Sequence, residues 1–195
     1  MNIYGRYRKY TNVRDAAWKT LIDYNIDRLP VYLHNICSVA GIKTLKNSDV
    51  HKLSEGEFGV SIKQGDVWYI VFDDSDTIQR IRFTIAHELG HIFLGHEMHY
   101  GYHTRKSNIL KPAAETEADM FAARLLAPAC VLWGIGAETA EDIAAICNIS
   151  YTAADIRARR LEMLRSRGKF LTSPLERRVY DNFSTFIKEN KITPQ

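Results

Sequence analysis

In the stretch "FTIAHELGHIFLGH" (83–96) the ionisable side chains His87, Glu88 and His91 are set within a run that is otherwise largely apolar. Burying such groups is costly unless something satisfies them. Histidines four apart on a helix project from one face in neighbouring turns, a geometry that suits two ligands of one tetrahedral zinc ion. Glu88 lies about 100° around the helix from His87, so it stands beside a metal rather than on it. A carboxylate there can take the proton of an attacking water and pass it to a leaving amine. His-Glu-x-x-His is accordingly the helix motif of zinc hydrolases. The blander alternative is a helix whose histidines are hydrogen-bonded core residues or face water. Its flanks, Ile85, Ala86, Leu89, Ile92 and Phe93, argue against the water-facing form.

A zinc enzyme requires a third protein ligand. A metzincin-like histidine would stand six residues after His91, but that position is Glu97, and Leu94 replaces the glycine such a site carries. His96, His99 and His103 follow at irregular spacing and fit solvent exposure equally well. The segment "AETEADMFAARLLAP" (114–128) offers more. At about 100° per residue, Glu115 sits in the middle of a face shared with Ala118, Asp119, Ala122 and Leu126, whereas Glu117 lies about 200° away beside Arg124. A surface acid near a helix N-terminus describes Glu117 well and Glu115 poorly. A carboxylate among alanines wants a cation, and the alanines let this helix come close to the His-Glu helix. The expected site is therefore gluzincin-type, with one zinc ion per chain on His87, His91 and Glu115, and Glu88 as general base. Asp119, one turn on, is expected to accept a histidine ring N–H and fix its tautomer.

Other residues invite chemistry less strongly. A peptidase needs a donor for the developing oxyanion, and Tyr100, Tyr102 and His103, between the two helices, supply candidates; a plain loop rim explains them equally well. The segment "TAEDIAAICNISYTAADIRARRLEML" (139–164) has a helix-turn-helix look, with Asn148 at the turn position that favours a left-handed backbone. Arg157 and Arg160 on its second helix are candidates for nucleic-acid or partner contact. The balance favours a solvated basic face, since arginines alone do not read bases and the net charge is only +3.

Around these motifs the sequence predicts a helix over 13–27, a second short one ending near Gly41, and a polar, loop-like stretch over 43–57 with room for a short strand. A hairpin is expected with strands near 58–63 and 67–72, then a long helix capped by Asp76. Pro112 and Pro128 bracket the next helix, short helices follow over 139–164, and Ser173, Pro174 and Glu176 open a final one by a capping box. Leu175, Val179, Phe183, Phe186 and Ile187 form one apolar stripe along that last helix. The expected organisation is a catalytic core over 1–130, a small helix-turn-helix-like segment over 131–170, and a tail helix over 171–195 that docks on the body.

With 195 residues, 46% of them hydrophobic and 25% charged, the composition is that of an ordinary soluble globular domain. Three cysteines at no metal-ligand spacing argue against a disulfide framework and for a reducing compartment; Cys37 and Cys147 read as core rather than nucleophile. No segment resembles a signal peptide or reaches the apolar length of a membrane span, so a cytoplasmic protein with no membrane partner is expected.

"RFTIAHELGHIFLGH" followed by "ETEADMFAARLLAP" resembles the ImmA/IrrE family of metallopeptidases over roughly residues 13–165, with Asp119 where asparagine is common and Ala127 where methionine often precedes the proline. The resemblance implies an α+β, mostly helical zincin-like core with a small sheet packed on the His-Glu helix, and a helical segment after it. It also implies a bacterial, phage or mobile-element protein whose substrate is a helix-turn-helix repressor. Some relatives carry a DNA-binding domain of their own; none is recognised here, so the repressor is expected to be a separate protein. Zinc on His87, His91 and Glu115, with Glu88 as base, agrees with the family pattern. Two rivals are a metal-containing DNA-binding or regulatory protein without proteolysis, and a zinc hydrolase of small molecules.

Overall fold

A computed structural model of the chain describes residues 3–7, 12–96 and 113–192. Its elements run α1 (Val13–Asp23), α2 (Leu33–Ala40), β1 (Ile42–Lys46), α3 (Asn47–Val50), β2 (Gly59–Gln64), β3 (Val67–Phe72), α4 (Ile78–Leu94), α5 (Ala113–Leu126), α6 (Ala129–Ile135), α7 (Ala140–Cys147), α8 (Tyr151–Ser166), α9 (Pro174–Asn182) and α10 (Ser184–Glu189). The fold is α+β, mostly helical with one three-stranded sheet, as expected of a zincin-like core. Two compact units divide the chain: Met1–Ala16 with Leu33–Ala122, and Ala17–Tyr32 with Ala123–Gln195. Two of the boundaries fall inside α1 and α5 and the third at the start of α2, so each unit draws on separate stretches of sequence.

In the first unit β3 is the central strand, parallel to β1 and antiparallel to β2. Its β-branched and aromatic sequence, "VWYIVF", suits a strand paired on both sides. β2 is left as an edge, joined to β3 by the "QGD" turn with Gly65 at φ 59°. The expected hairpin is present. The 43–57 stretch, expected to be loop-like with a short strand, does carry most of β1, for which Ile42 and Leu45 give the parallel pairing an apolar foothold, and it also holds the short α3.

α4 packs on β2 and β3 and is buried all round in its second half, from Ala86 to Leu94. Gly59, at the head of β2, makes the contact close: a Cβ there would lie 2.2 Å from Thr84 Cγ2 and 3.7 Å from Glu88 Cγ. The N-cap is Thr77, whose hydroxyl accepts from the Arg80 N–H, rather than Asp76. Asp76 instead bonds the Thr77 N–H and pairs with the Arg80 guanidinium at 3.2 Å, since the i to i+3 capping register belongs to Thr77. At the other end Gly95 turns left-handed, φ 72°, and the Ile92 and Phe93 carbonyls accept from the Gly5 and Tyr7 N–H groups. Those helix-end carbonyls would otherwise have no partner within the helix.

The second unit holds α6 to α10. Asn148 does adopt φ 50° between α7 and α8, and Ser173 does cap α9 by accepting from Glu176 N–H. The expected single tail helix is two, α9 and α10, breaking at Phe183. Val179, Phe183 and Ile187 are buried, and a side chain at Gly134 of α6 would meet Tyr180 and Ile187 at 2.7 and 3.0 Å. Among the described residues one helical stretch, Ala113–Ile135, is long and apolar enough to cross a membrane by length and composition alone, but it is mostly buried within the protein, as a core helix is.

Candidate metal centre

α4 and α5 bring His87, His91 and Glu115 together. His87 Nε2 and His91 Nε2 are 2.9 Å apart, and Glu115 reaches them with Oε2 and Oε1, each at 3.3 Å. Both imidazoles are 1% exposed and the Glu115 side chain 15%. The close approach of the helices rests on Gly90, where a Cβ would lie 3.2 Å from the Ala118 Cα and from a Phe121 ring atom. Small residues on both helices let the ligand side chains meet without reaching.

The donor set fits a tetrahedral cation. With metal–nitrogen and metal–oxygen bonds of about 2.0–2.2 Å, neighbouring ligand atoms in a tetrahedron stand about 3.3–3.6 Å apart. Two of the three observed separations fall in that range, and the His–His one is a few tenths of an ångström shorter. Among the described residues this trio forms a group able to hold a metal.

The electrostatics agree. Burial alone pulls the His87 imidazolium toward neutrality. Hydrogen bonds to Asp119 and Glu115 and the Glu88 charge act the other way and prevail, raising the pKa to about 9. The pocket thus stabilises positive charge at His87, whether a proton or a metal brings it. Asp119 Oδ1 lies 2.9 Å from His87 Nδ1, so that ring donates from Nδ1 to the carboxylate and presents the Nε2 lone pair to the centre. Glu88 is 1% exposed, on the part of α4 that faces the head of β2.

Glu117 differs from the expectation of a purely outward acid. Its side chain is 46% exposed, yet Oε2 lies 3.1 Å from His96 Nε2. In the sequence His96 is one of several irregularly spaced histidines that fit solvent exposure equally well, but its imidazole is 9% exposed and its Nδ1 lies 3.0 Å from His91 Nδ1. The sequence signal for this was Gly95, a helix-ending glycine that folds the next residue back. Tyr100, Tyr102 and His103, the candidate oxyanion donors, lie outside the described residues, as does His99.

On α8 the guanidinium of Arg157 turns inward and donates to the Ala127 carbonyl, and burial lowers its pKa to about 10. That is a position for closing the end of α5, not for reading a base. Arg160 is exposed, while Arg159 pairs with Asp155 at 2.7 Å and Arg165 with Glu138 at 3.0 Å. The basic face is thus partly neutralised. All three cysteines are buried and outside any disulfide, and burial pushes the Cys37 and Cys130 thiols up to about 12, which leaves those two inert.

A family model described as the IrrE N-terminal-like domain, peptidase M78, matches residues 37–159. A search of curated proteins finds no match.

Proposed function

The chain belongs to the IrrE N-terminal-like family of M78 peptidases, and from that premise we propose that it is a zinc-dependent endopeptidase acting on a protein, most fittingly a separate helix-turn-helix repressor. The family supports a metallopeptidase-type function. The observation that carries the finer reading is the meeting of His87, His91 and Glu115 beside a buried Glu88.

In this reading His87, His91 and Glu115 hold one zinc ion, which when bound supplies Lewis acidity toward a carbonyl and an attacking water. Glu88 accepts the proton of that water as it attacks and returns it to the leaving amine. Its buried setting, between α4 and the head of β2, keeps bulk water from the carboxylate. Asp119 holds the His87 ring in the tautomer that offers Nε2. β2, an edge strand among the described residues, gives an extended substrate segment backbone groups to pair with, by strand addition next to Glu88.

The test is co-expression with a candidate repressor, comparing wild type with Glu88→Gln. Loss of cleavage with one zinc retained is expected. Cleavage that persists in Glu88→Gln removes Glu88 as the base. Salt-dependent duplex binding by a chain that cleaves nothing would favour the DNA-binding rival instead.

A further inference from the structure

His96 stands immediately after the left-handed Gly95 and is held from several directions. Its N–H donates to the His91 carbonyl at 3.1 Å, and its own carbonyl accepts from the Tyr4 hydroxyl at 2.8 Å. Its ring lies edge-on to His91, with centroids 5.0 Å apart. The two Nδ1 atoms are 3.0 Å apart, and the far nitrogen, Nε2, meets the Glu117 carboxylate at 3.1 Å.

One arrangement of protons satisfies this chain with neutral rings. Glu117 only accepts, so His96 donates from Nε2. His96 Nδ1 is then the acceptor, so His91 donates from its own Nδ1, and His91 Nε2 is left as a lone pair directed at Glu115. The arrangement parallels that at the other ligand, where Asp119 accepts from His87 Nδ1. The difference is that a second imidazole is interposed between ligand and carboxylate. We infer that His96 and Glu117 form a positioning relay that fixes the His91 tautomer and ring orientation for metal binding.

This inference rests on the metal reading above, and the test separates the two. Zinc affinity would be measured by competition with a chromophoric chelator in wild type, Glu115→Ala, His96→Ala, His96→Asn and Glu117→Ala. Cobalt(II) spectra would be recorded on the same set, because a changed His91 donor moves the ligand-field bands and a mere packing defect does not. Loss of an outer partner of a metal-bound histidine typically weakens metal binding by about 10–100-fold. His96→Ala and Glu117→Ala should each weaken zinc by about tenfold or more with shifted cobalt bands. His96→Asn, whose Oδ1 replaces the acceptor Nδ1, should recover most of the loss. Wild-type affinity in either alanine variant, or no recovery in His96→Asn, overturns the relay. A wild-type chain that binds no better than Glu115→Ala overturns the metal reading itself. Glu117 is half exposed, so Glu117→Ala carries the test should His96→Ala fail to fold.

Discussion

At His87 a proton and a metal compete for one lone pair. The imidazolium is stabilised by Asp119 and Glu115 at 2.9 and 3.3 Å and by the nearby Glu88, against the cost of burial. In a chelator-stripped chain the raised folded pKa, about 9 against an ordinary 6.5, has a definite sign for stability. This group's contribution is fully present below about 6.5 and is lost as pH rises toward about 9. Metal affinity must run the other way, because the ligand binds metal only after losing its proton. Between pH 6.5 and 9 zinc affinity should rise by about tenfold per pH unit from this one displaced proton. Asp119→Asn keeps an acceptor for Nδ1–H but removes a charge, so it should lower the His87 pKa and narrow that window from above. Chelator-competition titrations across pH would show both. An affinity flat through the window would mean that His87 is not a ligand.

At the level of elements, the spacing between α4 and its neighbours decides whether the side chains meet. Gly59 touches Thr84 so closely that a methyl group cannot be added without movement, and Thr84 is itself buried. Gly59→Ala should therefore destabilise by about 1–3 kcal/mol, the usual cost of an overfilled contact, and move β2 off Glu88. Thr84→Ser removes the Cγ2 that would clash, so the double variant should be more stable than additivity of the two single changes allows. Urea unfolding of the four chains gives the coupling; strict additivity would mean that β2 shifts freely. Gly90 acts likewise toward Ala118 and Phe121. The inward facing of Glu115 was legible because a period of 3.6 carries over from sequence to surface. Glu117 was half legible: its angle gave its exposure, but not a side chain that folds back to a histidine just past the end of another helix. Thr77 and Asp76 show a similar limit, since both are good caps and only the hydrogen-bond register separates them.

Taken as a whole, the molecule assembles its centre from one unit whose parts are distant in sequence. Residues 3–7 close the end of α4, the sheet lies under it, and the first turns of α5 supply the third ligand. Local patterns announced the two ligand-bearing helices and the hairpin. They could not announce that Ala17–Tyr32 groups with Ala123–Gln195, or that β1 pairs in parallel across the hairpin, because such pairings depend on which surfaces remain uncovered after local elements form. A ligand trio that draws on two helices should couple metal to folding. Any ligand bound only by the folded form stabilises it by RT ln(1 + [L]/Kd), about 4 kcal/mol at a thousandfold excess over Kd. Zinc at that excess should slow amide exchange in the second half of α4 and in residues 113–122 by up to about a thousandfold relative to the chelated protein. Glu115→Ala, which keeps the helix but loses the third donor, should show little of that slowing. Equal protection in Glu115→Ala would place the bound metal elsewhere on the chain, and protection confined to the loop ends would mean that the ion does not tie α4 to α5.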